Sequence, residues 1–180
     1  LARRYNVPYR SSNVCAANAL DAQAAYESVF SLWGAIQGGV NVLMHGAGWM
    51  EGGLHASLEK FVLDADLLQM VAAYLEPIVV DEATLAHEAI GEVGPAGHFF
   101  GVQHTQDRFR DAFYKPLISD WRNYESWEEA GKPTADQKAK ELAQIFLEEY
   151  QRPEMDAATY EELDAFRKRR VAEGGVATDF

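Results

Sequence analysis

Two short strand-like stretches set the limits on how this chain can fold. "NVPYRSS" at 6–12 and "VNVLMH" at 40–45 read as strands, and "ALDAQAAYESVFSLWGAIQGG" at 19–39 between them reads as a helix. That spacing excludes a hairpin. The connection is a helical crossover, so the two strands should lie parallel. Asp21 stands where a helix cap belongs, Tyr26, Val29, Phe30 and Trp33 recur at helical spacing, and Gly38 and Gly39 stop the helix. The unbroken apolar character of 40–45 is the mark of a strand buried on both faces.

Downstream, Leu58, Phe61, Val62, Ala65 and Leu68 form an apolar stripe that predicts a helix over 54–75. A shorter acidic helix is expected over 81–94, ended by Gly94 and Pro95, and "GHFFGVQHT" at 97–105 reads as a further strand and loop. From 106 the chain turns aromatic and charged and is broken by Pro116 and Pro133, as a wrapping segment would be. Its Trp121, Tyr124 and Trp127 read as packing or interface residues. Two amphipathic helices follow at about 134–151 and 156–173, the first with Leu142, Ile145, Phe146 and Tyr150 as its buried stripe. Residues 1–105 thus carry βα units, and 106–180 supply a wrapping segment and helices of the same domain. Two or three parallel strands are few for a complete α/β domain, and a (β/α)8 barrel needs about 250 residues. The fold class expected is α/β: the carboxyl-terminal portion of a TIM (β/α)8 barrel with a helical extension.

Composition narrows the function. With 48% hydrophobic and 24% charged residues the 180-residue chain has the profile of a soluble globular protein. Its net charge of −12 argues against a nucleic-acid partner, whose phosphates need a basic footprint. No apolar run approaches the roughly 20 residues of a membrane span. "LARRYNVPYR" has no apolar region behind its charges, and the chain does not open on Met, so it is read as processed, trimmed or a piece of something longer. A single cysteine, Cys15, leaves no internal disulfide framework and suits a cytoplasmic setting.

In parallel α/β architecture the functional loops follow the carboxyl ends of strands. The richest such loop is "HGAGWMEGG", which sets His45, Trp49 and Glu51 among glycines that let a ligand approach the backbone; the plainer reading is a tight turn with Trp49 packed on the rim. His98 and His104 are six apart, which in an extended strand places both on one face. Alternatively, one is a loop histidine and the other opens a helix near Thr105. Glu27 lies deep in the first helix between Tyr26 and Val29, and Asn18 stands just before it, where a turn former is expected. Zinc motifs such as CxxC or HExxH are missing, so no metal site is expected; only the fold could gather Cys15, His45, His98 and His104. His55 and His87 read as plain surface helix residues.

Taken together, "LDAQAAYES", "NVLMHGAGWMEGGL", "KFVLDADLL", "GHFFGVQHT" and "YESWEEAGKPTADQKAKELAQIFLEEY" resemble the trimethylamine methyltransferase (MttB) family, in order and over nearly the whole chain, as the carboxyl-terminal third of such enzymes. The resemblance implies a TIM barrel and methyl transfer from a methylated amine to the cobalt of a corrinoid. That corrinoid is carried by a partner protein and is not bound tightly by this chain. Archaeal trimethylamine enzymes of the family carry pyrrolysine in the loop before the "LDAQA" helix. Here Asn18 occupies or adjoins that position, which points to members without pyrrolysine and to a quaternary amine such as glycine betaine. Under that reading Trp49, Tyr26 and Phe99 are candidates for an aromatic cage, with Glu51 adding charge. His45, His98 or His104 would hydrogen-bond a substrate carboxylate. The catalytic candidates are Glu51, His45 and Asn18, and Glu27 joins the substrate-binding set. The exposed edge strand of a partial barrel is a pairing hazard, so a homo-oligomer is expected. Two other readings stay open: a non-catalytic α/β piece used for assembly or partner docking, and a metal-dependent TIM-barrel hydrolase.

Overall fold

The computed structural model describes residues 1–174. After a short helix α1 (Ala2–Tyr5), strand β1 (Arg10–Ser12) runs parallel to β2 (Val42–Met44), with Arg10 opposite Val42 and Ser12 opposite Met44. The crossover between them is helix α2 (Ala22–Gln37). Asp21 caps it, accepting hydrogen bonds from the amides of Gln23 (2.9 Å) and Ala24 (3.4 Å). The expected strand–helix–strand unit is therefore formed.

Two features of this unit depart from the expectation. The core face of α2 is Ala24, Ser28, Leu32 and Ala35, while Tyr26, Val29, Phe30 and Trp33 are exposed. Strand β2 is not buried on both faces: Val42 is 50% and Met44 43% exposed. Among the described residues β1 is its single sheet neighbour, so its other edge and much of its surface stay open.

The glycine-rich stretch closes in a small antiparallel hairpin, β3 (Trp49–Met50) with β4 (His55–Ala56), joined by a 3-10 turn at Glu51–Gly53. His55 thus lies in a strand, although it is exposed as expected. Helix α3 (Leu58–Leu75) follows, capped by Ser57, whose hydroxyl accepts from the Lys60 amide at 3.1 Å. Its buried positions are Lys60, Val62, Asp64, Asp66 and Val71, and the expected stripe residues Leu58 and Phe61 are each 55% exposed. Two carboxylates and an ammonium therefore occupy the inner face, where each is satisfied by specific partners.

The expected helix over 81–94 is two, α4 (Glu82–Leu85) and α5 (His87–Val93), broken at Ala86, whose φ of 53° is left-handed. The strand expected over 97–105 is not formed. Phe99–Gly101 make a 3-10 turn and Gln103–Arg108 make helix α6. The stretch offers one buried apolar residue, Val102, which is too little to bury a strand face. Its polar residues bond locally instead, Gln103 to Asp107 (2.6 Å) and the Gln106 amide to the Phe100 carbonyl (2.5 Å). His98 and His104 are consequently not neighbours on one strand face.

The chain divides into two compact units, 1–145 and 146–180. In the first, helix α7 (Tyr124–Glu129) and most of helix α8 (Ala135–Glu149), whose last turn passes the boundary, follow the aromatic segment. Ile118, Val62, Ala139 and Ala143 form a core cluster, with Leu63 and Leu142 against it. Of the stripe expected on α8, Leu142 packs in this way, while Ile145, Phe146 and Tyr150 are exposed. Asp66 fastens the segment: its carboxylate accepts from the amides of Leu117 (2.7 Å) and Ile118 (3.1 Å) and from the Tyr114 hydroxyl (3.4 Å). In the second unit helix α9 (Ala157–Ala172) is capped by Asp156, and Arg152 lies over the Tyr160 ring at 4.6 Å. No helix among the described residues is long and apolar enough to cross a membrane.

Asp66→Ala removes three hydrogen bonds to a charged acceptor and leaves two amides without partners. A net loss of about 2–4 kcal/mol is expected, with faster limited proteolysis within 111–120. Unchanged cleavage in that segment would show that Asp66 does not hold it.

Candidate functional site

The carboxyl ends of β1 and β2 deliver two loops side by side. After β1 come Ser12 and Asn13; after β2 comes His45, with a left-handed φ of 53°. Asn13 is fully buried and its side-chain amide donates to the Gly46 carbonyl at 3.1 Å, tying the two loops together. The Ser12 hydroxyl lies 3.5 Å from His45 Nδ1. A further seam forms where the Glu51 amide donates to the Ala17 carbonyl (3.1 Å) and the Gly52 amide to the Cys15 carbonyl (3.0 Å). The loop after β1, residues 13–18, therefore forms the other wall of the mouth at 45–53.

Trp49 is half-buried and packs against Cys15, Ala17 and Ala24. The His45 ring meets its edge at a centroid distance of 4.8 Å. Gly53 closes over the indole: a Cβ there would lie 2.5 Å from Trp49 Cζ2, and φ is +98°. Glu51, exposed, also holds a left-handed φ of 50°. Two buried polar atoms at this place have no protein partner, the Asn13 carbonyl oxygen Oδ1 and Trp49 Nε1. One is an acceptor and the other a donor.

Glu27 shapes the wall from below. One carboxylate oxygen accepts from the amides of Ala16 (2.7 Å) and Ala17 (3.1 Å), the other from the Gln23 side chain (2.8 Å). The Gln23 bond, followed by those from the loop, holds its carboxyl below the ordinary value of 4.5. Asn18 sits exposed on the same loop. Burial pushes the Cys15 thiol up, the reverse of an activated nucleophile.

The other candidates lie apart from the mouth in their contacts. Tyr26 is 61% exposed on α2. Phe99 begins the 3-10 turn, and the His98 ring contacts Phe100 at 5.6 Å. His104 donates Nε2–H to the Ala83 carbonyl at 2.8 Å; a carbonyl can only accept, so the proton sits on Nε2. His87 is exposed at the start of α5. Among the described residues no group of three or more His, Cys, Asp and Glu is placed to hold a metal ion.

Sequence reasoning missed Asn13 and a buried network behind the mouth. Lys60 Nζ lies 2.5 and 2.6 Å from the two oxygens of Asp64 and donates to the Ser28 hydroxyl at 2.7 Å. Asp64 Oδ2 in turn accepts from the Gly48 amide at 2.9 Å. The available signal was an i,i+4 Lys–Asp pair inside the otherwise apolar "KFVLDADLL".

The arrangement is that of an α/β chain with a candidate site past the carboxyl ends of two parallel strands. The chain belongs to the trimethylamine methyltransferase (MTTB) family, whose model matches residues 1–175. It is 36% identical over 97% of its length to the glycine betaine methyltransferase of Desulfitobacterium hafniense (strain Y51), covering 36% of that protein. It is 30% identical over 92% of its length to trimethylamine methyltransferase MttB2 of Methanosarcina mazei, covering 33% of it. A trimethylamine methyltransferase MttB of Desulfitobacterium hafniense (strain DCB-2) is 32% identical over 88% of the chain and 32% of its own length. The chain thus spans about a third of the length of the curated relatives it matches.

Two expectations follow for the mouth. Gly53→Ala should shift tryptophan emission and cost about 1–3 kcal/mol in a urea melt, from overpacking and the positive φ. Gly52→Asn, at φ +63° with open space around it, should be close to neutral. Equal effects of the two would remove Gly53 as the lid of the indole. For Glu27 the folded carboxyl is the stronger acid, so its contribution is complete above the ordinary 4.5 and is lost as pH falls below it. Amide exchange in 13–18 should therefore accelerate on acidification, and Glu27→Gln should flatten that dependence.

Proposed function

We propose that the protein carrying this chain is a methyltransferase that moves a methyl group from a quaternary amine such as glycine betaine to cobalt. The cobalt belongs to a corrinoid held by a separate protein in the cytoplasm. In this reading the chain forms the last βα units of a TIM barrel, and the acceptor is a docking substrate, not a resident group. The observation that carries it is the make-up of the mouth: the indole of Trp49 and the imidazole of His45 in contact, the exposed Glu51 two residues further along the chain, and the one cysteine buried behind. Family membership and the relative named for glycine betaine support the same substrate class.

The residues match what such a transfer requires. A quaternary ammonium already has a neutral tertiary amine as its leaving group, so the protein need supply neither an acid nor a nucleophile. What it must supply is position. The indole of Trp49 favours a cationic methylammonium by about 0.5–2 kcal/mol, and Glu51 complements its charge. In this reading His45, in contact with Trp49 and close to the Ser12 hydroxyl, hydrogen-bonds a substrate carboxylate. Asn18 stands on the opposing loop, where the resemblance sets pyrrolysine in the archaeal trimethylamine enzymes. A plain amide there lacks that residue's electrophilic ring, which favours a donor already activated as a quaternary ammonium.

The test is methyl transfer from a panel of N-methyl compounds to cob(I)alamin by the full-length protein. Glycine betaine or a related quaternary amine should be demethylated and trimethylamine should not; turnover of trimethylamine alone would overturn the assignment. Trp49→Ala should weaken binding of the quaternary amine by about 3–30-fold, while His87→Ala leaves it unchanged. Equal affinities in the two variants would remove Trp49 from the pocket.

A further inference from the structure

We propose that Asp64 is a positioning residue that sets the geometry of the mouth through the backbone of Gly48, with Lys60 and Ser28 holding Asp64 in place; its effect on substrate rests on the methyltransferase reading above. Gly48 immediately precedes Trp49 and has a φ of +84°. Its amide donates to Asp64 Oδ2 at 2.9 Å, and its carbonyl accepts from the Ser57 amide at 3.1 Å. A Cβ on Gly48 would lie 3.4 Å from the Ser57 carbonyl oxygen and 3.5 Å from Phe61 Cβ. The residue that aims the indole is thus pinned through its carbonyl to the cap of α3 and through its amide to Asp64 within that helix.

The pin is costly to build. Lys60 is 1% and Asp64 2% exposed, and a buried ion pair returns little net stability, since desolvating both charges offsets their attraction. An apolar pair of similar size would avoid that desolvation. What an apolar pair cannot do is accept the Gly48 amide. Asp64 accepts from Gly48 and Lys60 at once, and Lys60 extends the chain of bonds to Ser28 on the core face of α2. Trp49 itself packs on Ala24 of the same helix, so one network fixes both the loop that carries the indole and the wall it rests on.

Two double substitutions in the full-length protein separate this role from bulk stability. Lys60→Met with Asp64→Leu replaces the pair by apolar side chains, and the 210 Å³ cavity that both residues line gives the leucine room. Lys60→Met with Asp64→Asn also removes the charges but keeps a carbonyl to accept the Gly48 amide. Both should fold cooperatively. Amide exchange over 46–53 should be at least 10-fold faster in the Met/Leu variant than in wild type, and near wild type in the Met/Asn variant. KM for the quaternary amine should rise about 10- to 100-fold in Met/Leu, more than kcat falls, and be restored in Met/Asn. Wild-type exchange over 46–53 in Met/Leu overturns the positioning role. Altered exchange with unchanged KM would overturn the link to substrate, and absence of methyl transfer in the wild-type protein would count against the methyltransferase reading alone.

Discussion

The bond between the Gly48 amide and Asp64 joins the parts of this molecule that matter most. On one side is a glycine-rich loop with few side chains to anchor it. On the other is a helix whose inner face carries Lys60, Asp64 and Asp66 among apolar residues. Such charges are rarely buried unless each is paired and hydrogen-bonded. Here Asp64 reaches back to the loop after β2, and Asp66, just beyond it in the sequence, reaches forward to the amides of Leu117 and Ile118. Helix α3 is therefore a double clamp. It holds the mouth with one carboxylate and the aromatic segment with the other.

A second carboxylate works in the same way from the opposite side. Glu27 gathers the amides of Ala16 and Ala17, so the loop after β1 is shaped by an acid of the following helix. Both walls of the mouth are thus held by backbone amides donating to helix-borne acids. This use of the acidic residues helps explain why a chain of net charge −12 can bury some of its carboxylates. They replace water around main-chain groups that irregular loops would otherwise leave without partners.

Much of this architecture was legible in the sequence, and the failures have particular causes. The parallel β1–α2–β2 unit follows from two short strand-like stretches flanking a capped helix, the second of them a continuous apolar run. The mouth was visible because glycines crowd around His45, Trp49 and Glu51. The β3–β4 hairpin was not, since strands of two residues carry no periodicity. "GHFFGVQHT" reads as a strand by its aromatics, yet Gln103, Gln106 and Asp107 satisfy a helical turn locally. Of the apolar stripe expected on α3 (Leu58, Phe61, Val62, Ala65 and Leu68), Val62 is buried, while Leu58 and Phe61 are exposed and Lys60, Asp64 and Asp66 are buried as well. Asn13 gave no signal at all: its role arises from a contact with Gly46, which only the parallel pairing brings near.

His45 and Glu51 share an unusual trait, since both hold left-handed backbone without being glycine. For an L-residue that conformation carries a standing penalty of about 1–2 kcal/mol relative to glycine. Selection for stability alone would therefore favour glycine at these two positions. A programme of stabilising mutagenesis that ranked substitutions by folding energy would select His45→Gly and Glu51→Gly early, and would erase the imidazole and the carboxylate while the fold improved. At Ala86 and Ala96, which hold the same conformation, the change to glycine would remove no polar side chain.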